Sequence, residues 1–148
     1  MSGQLEEFDT ASVWMRKSHL IEVGAPLADV ERIMAAVVTV DPLAVGANYD
    51  SVAFQTGPGV ERYRLREGAV AGIEEAVRHR SGPVVLYFEI EGDGRVLAEV
   101  IEAIFQVHSY QQPTIRVSHC LSARSKGLDD SANPHRWWNT TGDWKAAG

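Results

Sequence analysis

Cysteine is almost missing from this chain: Cys120 stands alone among 148 residues, so no disulfide can form within it, and a reducing, cytoplasmic compartment is the expectation. Long hydrophobic runs are missing too. No stretch approaches the ~20 apolar residues that cross a bilayer, which speaks against a membrane role. The opening Met1-Ser2-Gly3-Gln4-Leu5-Glu6-Glu7 is acidic and has no apolar centre, so no secretory signal is expected there. Positive charge is sparse and scattered: 14 Lys and Arg stand against 20 Asp and Glu, a net charge of −6, and nucleic acid is not an expected partner. The Lys-Ser/Thr of a phosphate-binding loop and the full GxGxxG spacing are both lacking. Ser51, Ser109 and Ser118 have no nucleophile-elbow context, so hydrolase chemistry has no support.

What is present is an ordinary globular composition, 45% apolar and 23% charged, at a length that suits one domain. Residues 1–17 read as an N-terminal arm. His19-Leu20-Ile21-Glu22-Val23 reads as a strand, stopped by Gly24-Ala25-Pro26. Leu27, Val30, Ile33, Met34, Val37 and Val38 recur at helical spacing and predict a helix over 26–39, closed by Asp41-Pro42. Residues 49–56 and 60–66 alternate around Gly57-Pro58-Gly59 and predict a hairpin with one solvated face. Glycines 68, 72 and 82 make 67–82 an irregular excursion. Val84-Val85-Leu86-Tyr87-Phe88-Glu89-Ile90 reads as a central strand covered on both faces. After the Glu91-Gly92-Asp93-Gly94 turn, with Asp93 as a candidate cap, Leu97, Val100, Ile101, Ile104 and Phe105 predict a second helix over 94–107. Thr114 to Leu121 reads as a last strand, with Ile115, Val117, His119 and Leu121 on one side.

Leu27-Ala28-Asp29-Val30 recurs as Leu97-Ala98-Glu99-Val100, each time after a strand and at the start of a helical stripe. Two strand–helix–strand units placed side by side give an α+β, ferredoxin-like sandwich: an antiparallel sheet with both helices on one face. The predicted domain covers 18–122. The tail 123–148, with Trp137, Trp138 and Trp144, is expected to pack on the open sheet face or on a neighbouring subunit, because exposed tryptophan is costly.

His108-Ser109-Tyr110-Gln111-Gln112-Pro113, between a helix and a strand, resembles the His-Pro-Tyr-Glu-x-Pro segment of the CutA1 proteins and the His-Pro-Tyr-Glu-Glu segment of the insert domain in the NIF3 family. It departs from both at Ser109, where proline is usual, and at Gln111 and Gln112, where acids are common. Gly46-Ala47-Asn48-Tyr49 through Phe54, and Glu67-Gly68-Ala69 with Gly72, resemble further NIF3-insert segments. Asn133-Pro134-His135-Arg136-Trp137-Trp138 is similar to the closing segment of CutA1 chains. The resemblance covers roughly residues 18–140. It implies a PII-like ferredoxin fold, a homotrimer whose sheets meet at their edges, and a link to divalent metals with no agreed reaction. The NIF3 metal core is not carried over, since no comparable cluster of His and acids is found.

The candidate metal ligands are His108, His119 and Cys120, whose imidazole and thiolate groups suit copper or zinc. His119 and Cys120 face opposite ways as strand neighbours, so they cannot share one ion, whereas His108 and His119 could approach across the turn. The plainer readings are a dipole-capping His108, a packed His119 and a buried Cys120. Candidate ligand-binding residues are Tyr110 in the family-like turn, Arg64 on the charged face of Glu61, Arg62 and Arg66, and Trp137 in a cleft between subunits. Gly57-Pro58-Gly59 and Gly92-Asp93-Gly94 are weaker phosphate cradles. The leading functional expectation is a non-catalytic homo-oligomer holding a small ligand or metal ion at intersubunit clefts. The rivals are a PII-like sensor of a nucleotide or anionic metabolite, moving its 57–82 segment, and an enzyme assembled only between subunits.

Overall fold

In the computed structural model, which describes residues 5–139, the longest strand is β2 (Val13–Ala25), and its side chains alternate strictly from His19 onward. His19, Ile21, Val23 and Ala25 point to the covered face, and the last three are fully buried. β2 starts six residues earlier than His19, so residues 13–17 of the expected arm are sheet. The short β1 (Phe8–Asp9) pairs with it at Phe8↔Met15, pinned by a 2.7 Å ion pair from Arg16 to Asp9. β6 (Val84–Glu91) runs antiparallel to β2, with Ile21 opposite Phe88 and Val23 opposite Leu86. β7 (Ile115–Ser125) runs antiparallel along the other edge of β2, from Val23↔Ile115 to Val13↔Ser125. The two-residue β3 (Phe54–Gln55) closes the far side against β6. The spatial order is therefore β7-β2-β6-β3, with β1 beside the start of β2.

Both helices lie on the face that carries Ile21 and Val23. α1 (Val30–Val40) buries Val30, Ile33 and Val37, and α2 (Leu97–Val107) buries Val100 and Ile104. These residues form one cluster with Ile21, Val23, Ala25, Leu43, Val84, Leu86, Phe88 and Ile90. Thirteen such buried apolar side chains, at about 1.5–3 kcal/mol each, make this layer the main stabilising element. The Leu-Ala-Asp/Glu-Val repeat is not quite in phase. Leu27–Asp29 is a 3-10 turn ahead of α1, while Leu97 already begins α2. Asp93 does not cap α2. Its carboxylate accepts the N–H of Arg95 at 2.9 Å, inside its own turn, and α2 begins without a side-chain cap.

The expected 49–66 hairpin does not form. Both flanks of Gly57-Pro58-Gly59 dock on the start of β6 instead: Thr56 N–H donates to Val85 O at 2.9 Å and Gly59 N–H to Pro83 O at 2.8 Å. β4 (Val60–Tyr63) then pairs with β5 (Arg78–Ser81), a strand inside the stretch read as irregular, to make a separate two-stranded ribbon.

The other sheet face is not covered by the tail among the described residues. It is mixed: Arg116 pairs with Glu22 at 2.7 Å and Arg124 with Glu91, while Leu20, Val85 and Tyr87 lie on the same face by register. Trp137 and Trp138 stay 43% and 51% exposed and pack edge to face on each other at 5.2 Å, contrary to the expected burial; Trp144 lies outside the described residues. Among the described residues, no helix is long and apolar enough to cross a membrane.

Candidate ligand-binding site

The family-like turn sits where three elements meet: the end of β2, the entry to α1 and the exit of α2. The His108 side chain is fully buried. Its Nε2 bonds Gly24 O at 2.7 Å, and its Nδ1 lies 3.1 Å from Tyr110 N. A carbonyl can only accept and a backbone N–H can only donate, so these partners select the neutral Nε2–H tautomer. Both ring nitrogens are then engaged, and neither is left for a metal.

Asp29, 4% exposed, accepts from the Ser109 N–H at 2.9 Å, the Ser109 hydroxyl at 2.7 Å and Arg32 at 2.7 Å. Burial works against its charge, but the bonds from Ser109 and Arg32 outweigh it and hold the carboxyl below its usual range. Arg32 also donates to Val107 O at 2.8 Å, tying α1 to the last turn of α2. Ser109, where the resembled families carry proline, thus supplies two donors, a backbone N–H and a hydroxyl, both of which proline would lack.

Tyr110 carries the turn to the ribbon. Its hydroxyl bonds the Glu61 carboxylate, and the Arg80 guanidinium lies 5.5 Å from its ring centre. Glu61 and Arg80 are directly opposite in the β4–β5 register and share a face. Burial, then the neighbouring Glu61, pushes the Tyr110 phenol up against the opposing effect of Arg80. Gln111 holds the long 64–77 loop, accepting the Val70 N–H at 3.0 Å and donating to Gly68 O at 3.3 Å. Arg64, just beyond β4, is exposed, as are Arg62 and Arg66.

His119 and Cys120 are at the other end of the sheet. His119 lies directly across from His19 in the β2–β7 register, their rings edge to face with centres 4.7 Å apart. His108 and His119 therefore do not approach one another: His108 is anchored at Gly24, five residues along β2 from His19. His119 is exposed rather than packed in the core. Cys120 faces the opposite side, across from Ser18, and burial, then Glu89, pushes its thiol up. Lys17, Ser18, His19, Asp93, His119 and Cys120 help to line a hollow of about 750 Å³. His19 is 7% exposed, and its Nδ1 is buried with no hydrogen-bond partner. Such an unmet group costs about 1–3 kcal/mol. Gly94, at φ +71°, lies against this ring; a Cβ there would fall 2.7 Å from His19 Cε1. Among the described residues, no three His, Cys, Asp or Glu side chains gather around one point.

Of the residues singled out from sequence, Tyr110 reaches the ribbon, His119 and Cys120 line one hollow from opposite faces of β7, and His108, Arg64 and Trp137 stand apart from that hollow. Glu61, Arg80, Asp29 and His19 complete the two clusters and were not singled out as partners. Glu61 was named only as part of a charged face, and the repeat of Asp29 by Glu99 hinted at Asp29.

No protein-family model matches the chain. No curated protein matches it in sequence. Among solved structures, a Bacillus cereus protein related to NIF3 superposes with a TM-score of 0.58 at 17% identity, over 81% of this chain and 32% of that one. The chain thus spans about a third of that relative. The divalent ion tolerance protein CutA1 from Ehrlichia chaffeensis superposes with a TM-score of 0.50 at 14% identity, over 80% of this chain and 89% of that one. B. subtilis GlnK matches more loosely, with a TM-score of 0.44 at 10% identity, over 70% and 84% of the two chains. Strand order, helix placement and the first two superpositions agree on one architecture: the chain has a CutA1/NIF3-like, ferredoxin-like fold.

Proposed function

We propose that the chain is a small, non-catalytic ligand-binding protein that works as a closed homo-oligomer, with a trimer favoured, and takes its ligand where the 108–113 turn meets the β4–β5 ribbon. The observation that carries this reading is the gathering of Tyr110, Glu61 and Arg80 from three separate segments at one half-buried point. A guanidinium and a phenol are donors suited to a carboxylate or phosphate. The favoured ligand at this point is therefore a small anionic metabolite, a nucleotide included, which exchanges with Glu61 for Arg80 and so frees or fixes the ribbon. In this reading Trp137, 43% exposed and packed on Trp138, faces a cleft between subunits. The Ehrlichia relative, a divalent ion tolerance protein, supports a metal instead. At this turn His108 is poorly suited to that role, because both of its nitrogens are occupied.

A thermal-melting series with adenosine triphosphate, inorganic phosphate, citrate, zinc chloride and buffer alone tests the reading. A ligand held only by the native state at 100 times its Kd adds about 2.7 kcal/mol. At least one anion is expected to raise the melting temperature of the wild type, and to lose that effect in Arg80→Gln. No shift with any anion, or a shift kept in full by both Arg80→Gln and Tyr110→Phe, removes the ribbon as the binding point.

A further inference from the structure

The 64–77 loop is long but not loose. Ala69 N–H donates to Arg66 O at 3.0 Å, Gly72 N–H to Ala69 O at 3.0 Å and Glu74 N–H to Leu65 O at 3.1 Å. Gly68 and Gly72 take the left-handed backbone of these turns, at φ +91° and +97°. Gln111 holds the tip through Val70 N–H and Gly68 O. The backbone is tied at several points, yet apolar side chains face out: Val70 is 85% and Ile73 69% exposed, with Ala71 exposed between them. A tip already held in one shape loses less freedom when it binds.

A hollow of about 280 Å³ lies elsewhere on the surface, between the 42–54 segment and the open face of the sheet. Leu20, Val52, Phe54 and Tyr87 help to line it, and Val52 and Phe54 are exposed. Its charge is unbalanced. Glu89 makes no hydrogen bond or ion pair among the described residues. Arg124, on the same lining, commits its guanidinium to Glu91 and Ser122. The tip carries the opposite excess: Arg64 and Arg66 are exposed and make no ion pair among the described residues. None of the tip residues lines the hollow of its own chain.

We propose that the 66–73 tip of one chain seats in this hollow on a second copy of the chain, with Val70 and Ile73 filling its apolar part and Arg66 pairing with Glu89 of the partner subunit. Shape and charge agree: an exposed apolar knob with spare arginines meets an exposed apolar hollow with a spare carboxylate. The contact joins two different patches, so repeating it closes a ring at a fixed number of copies. The inference rests on the oligomer reading above and adds the surfaces that set its geometry. Two aliphatic side chains fall far short of the roughly 1,600 Å² of a standard interface. The tip therefore does not hold the oligomer alone; it fixes the rotation between neighbours while other contacts supply the area. The ribbon that carries the tip also carries Glu61 and Arg80, which puts the anion point beside a subunit boundary.

Sedimentation velocity of the full chain over a series of micromolar concentrations, with a melting curve for each variant, tests the proposal. Val70→Asp and Ile73→Asp change exposed side chains and should melt as the wild type does, but weaken association roughly tenfold or more, which is about 1.4 kcal/mol. Leu27→Asp, at an exposed leucine outside both patches, should associate as the wild type does. Arg66→Glu and Glu89→Arg should each weaken association, and the doubly reversed chain should recover it. Val70→Cys combined with Val52→Cys, in a Cys120→Ser background, should give disulfide-linked oligomers on air oxidation, whereas Val70→Cys alone should not. Wild-type association in both aspartate variants, or no cross-link between the paired cysteines, overturns the contact of tip and hollow and leaves the oligomer itself standing. A wild type that stays monomeric at every concentration overturns both.

Discussion

Replacing Asp29 with alanine removes a carboxylate that joins the entry of α1 to the turn after α2. Three charge-assisted bonds go with it, two from Ser109 and one from Arg32. Bonds of this type contribute about 1.5–3 kcal/mol each. The simple sum is too large, because the Arg32 side chain is half exposed and Ser109 lies at the surface, so water can replace part of what they lose. A net loss of about 2–4 kcal/mol follows, or roughly 5–15 °C in melting temperature for a domain of this size. The pH dependence is a sharper test. The folded carboxyl is held below its usual range, by Ser109 and Arg32 against burial, while the unfolded chain titrates near 3.9. Stability from Asp29 is therefore fully present above about pH 4 and is lost as pH falls through the lower, folded value. Urea unfolding of wild type and Asp29→Ala at pH 7, 5 and 3 should give a constant gap at the first two and a smaller one at the third. A gap under about 0.5 kcal/mol at pH 7, or one that widens in acid, would refute the reasoning.

Tyr110→Phe keeps the ring but drops the hydroxyl bonded to Glu61, so amide exchange in 64–77 should quicken, with a stability loss of only about 0.5–1.5 kcal/mol; unchanged exchange would mean that the ribbon is held otherwise. Gly94→Ala forces a Cβ against His19 and Leu97 at a left-handed backbone position, and should cost about 2–4 kcal/mol; an unaltered melting temperature would contradict the close packing of that turn. Light scattering at micromolar concentration should find a closed oligomer, a trimer by preference, because β7 pairs only with β2 among the described strands; a stable monomer would reject it.

The two helices were legible because their apolar stripes are local. Val30, Ile33 and Val37, and then Val100 and Ile104, report one face through spacing alone, and the structure buries those same residues. The strands 84–90 and 114–121 were legible for the same reason, though β7 runs on to Ser125. Pairing was not. Alternation in 49–56 and 60–66 marks extended chain but does not name the partner, and the Gly-Pro-Gly flanks found theirs in Pro83 and Val85. Arg78-His79-Arg80-Ser81 has no strand-like apolar pattern, and it is extended because β4 binds it. The same gap hid His19. Nothing within ten residues of it signals His119, since that contact depends on the register of two strands at opposite ends of the sequence.

That central strand also governs when the domain can exist. β2 needs β7 along one edge, and Trp14, near the start of the chain, waits for Arg124. Contacts so distant in sequence make folding slow relative to helical domains of equal size, because a long loop must close before the pairing rewards it. On the ribosome, α1 and β6 can meet β2 early, but its second edge stays bare until residue 125 has emerged. Truncation just before β7 would leave a long unpaired rail of backbone open to any extended chain, a second copy of itself included, and aggregation is the expected fate of such a fragment.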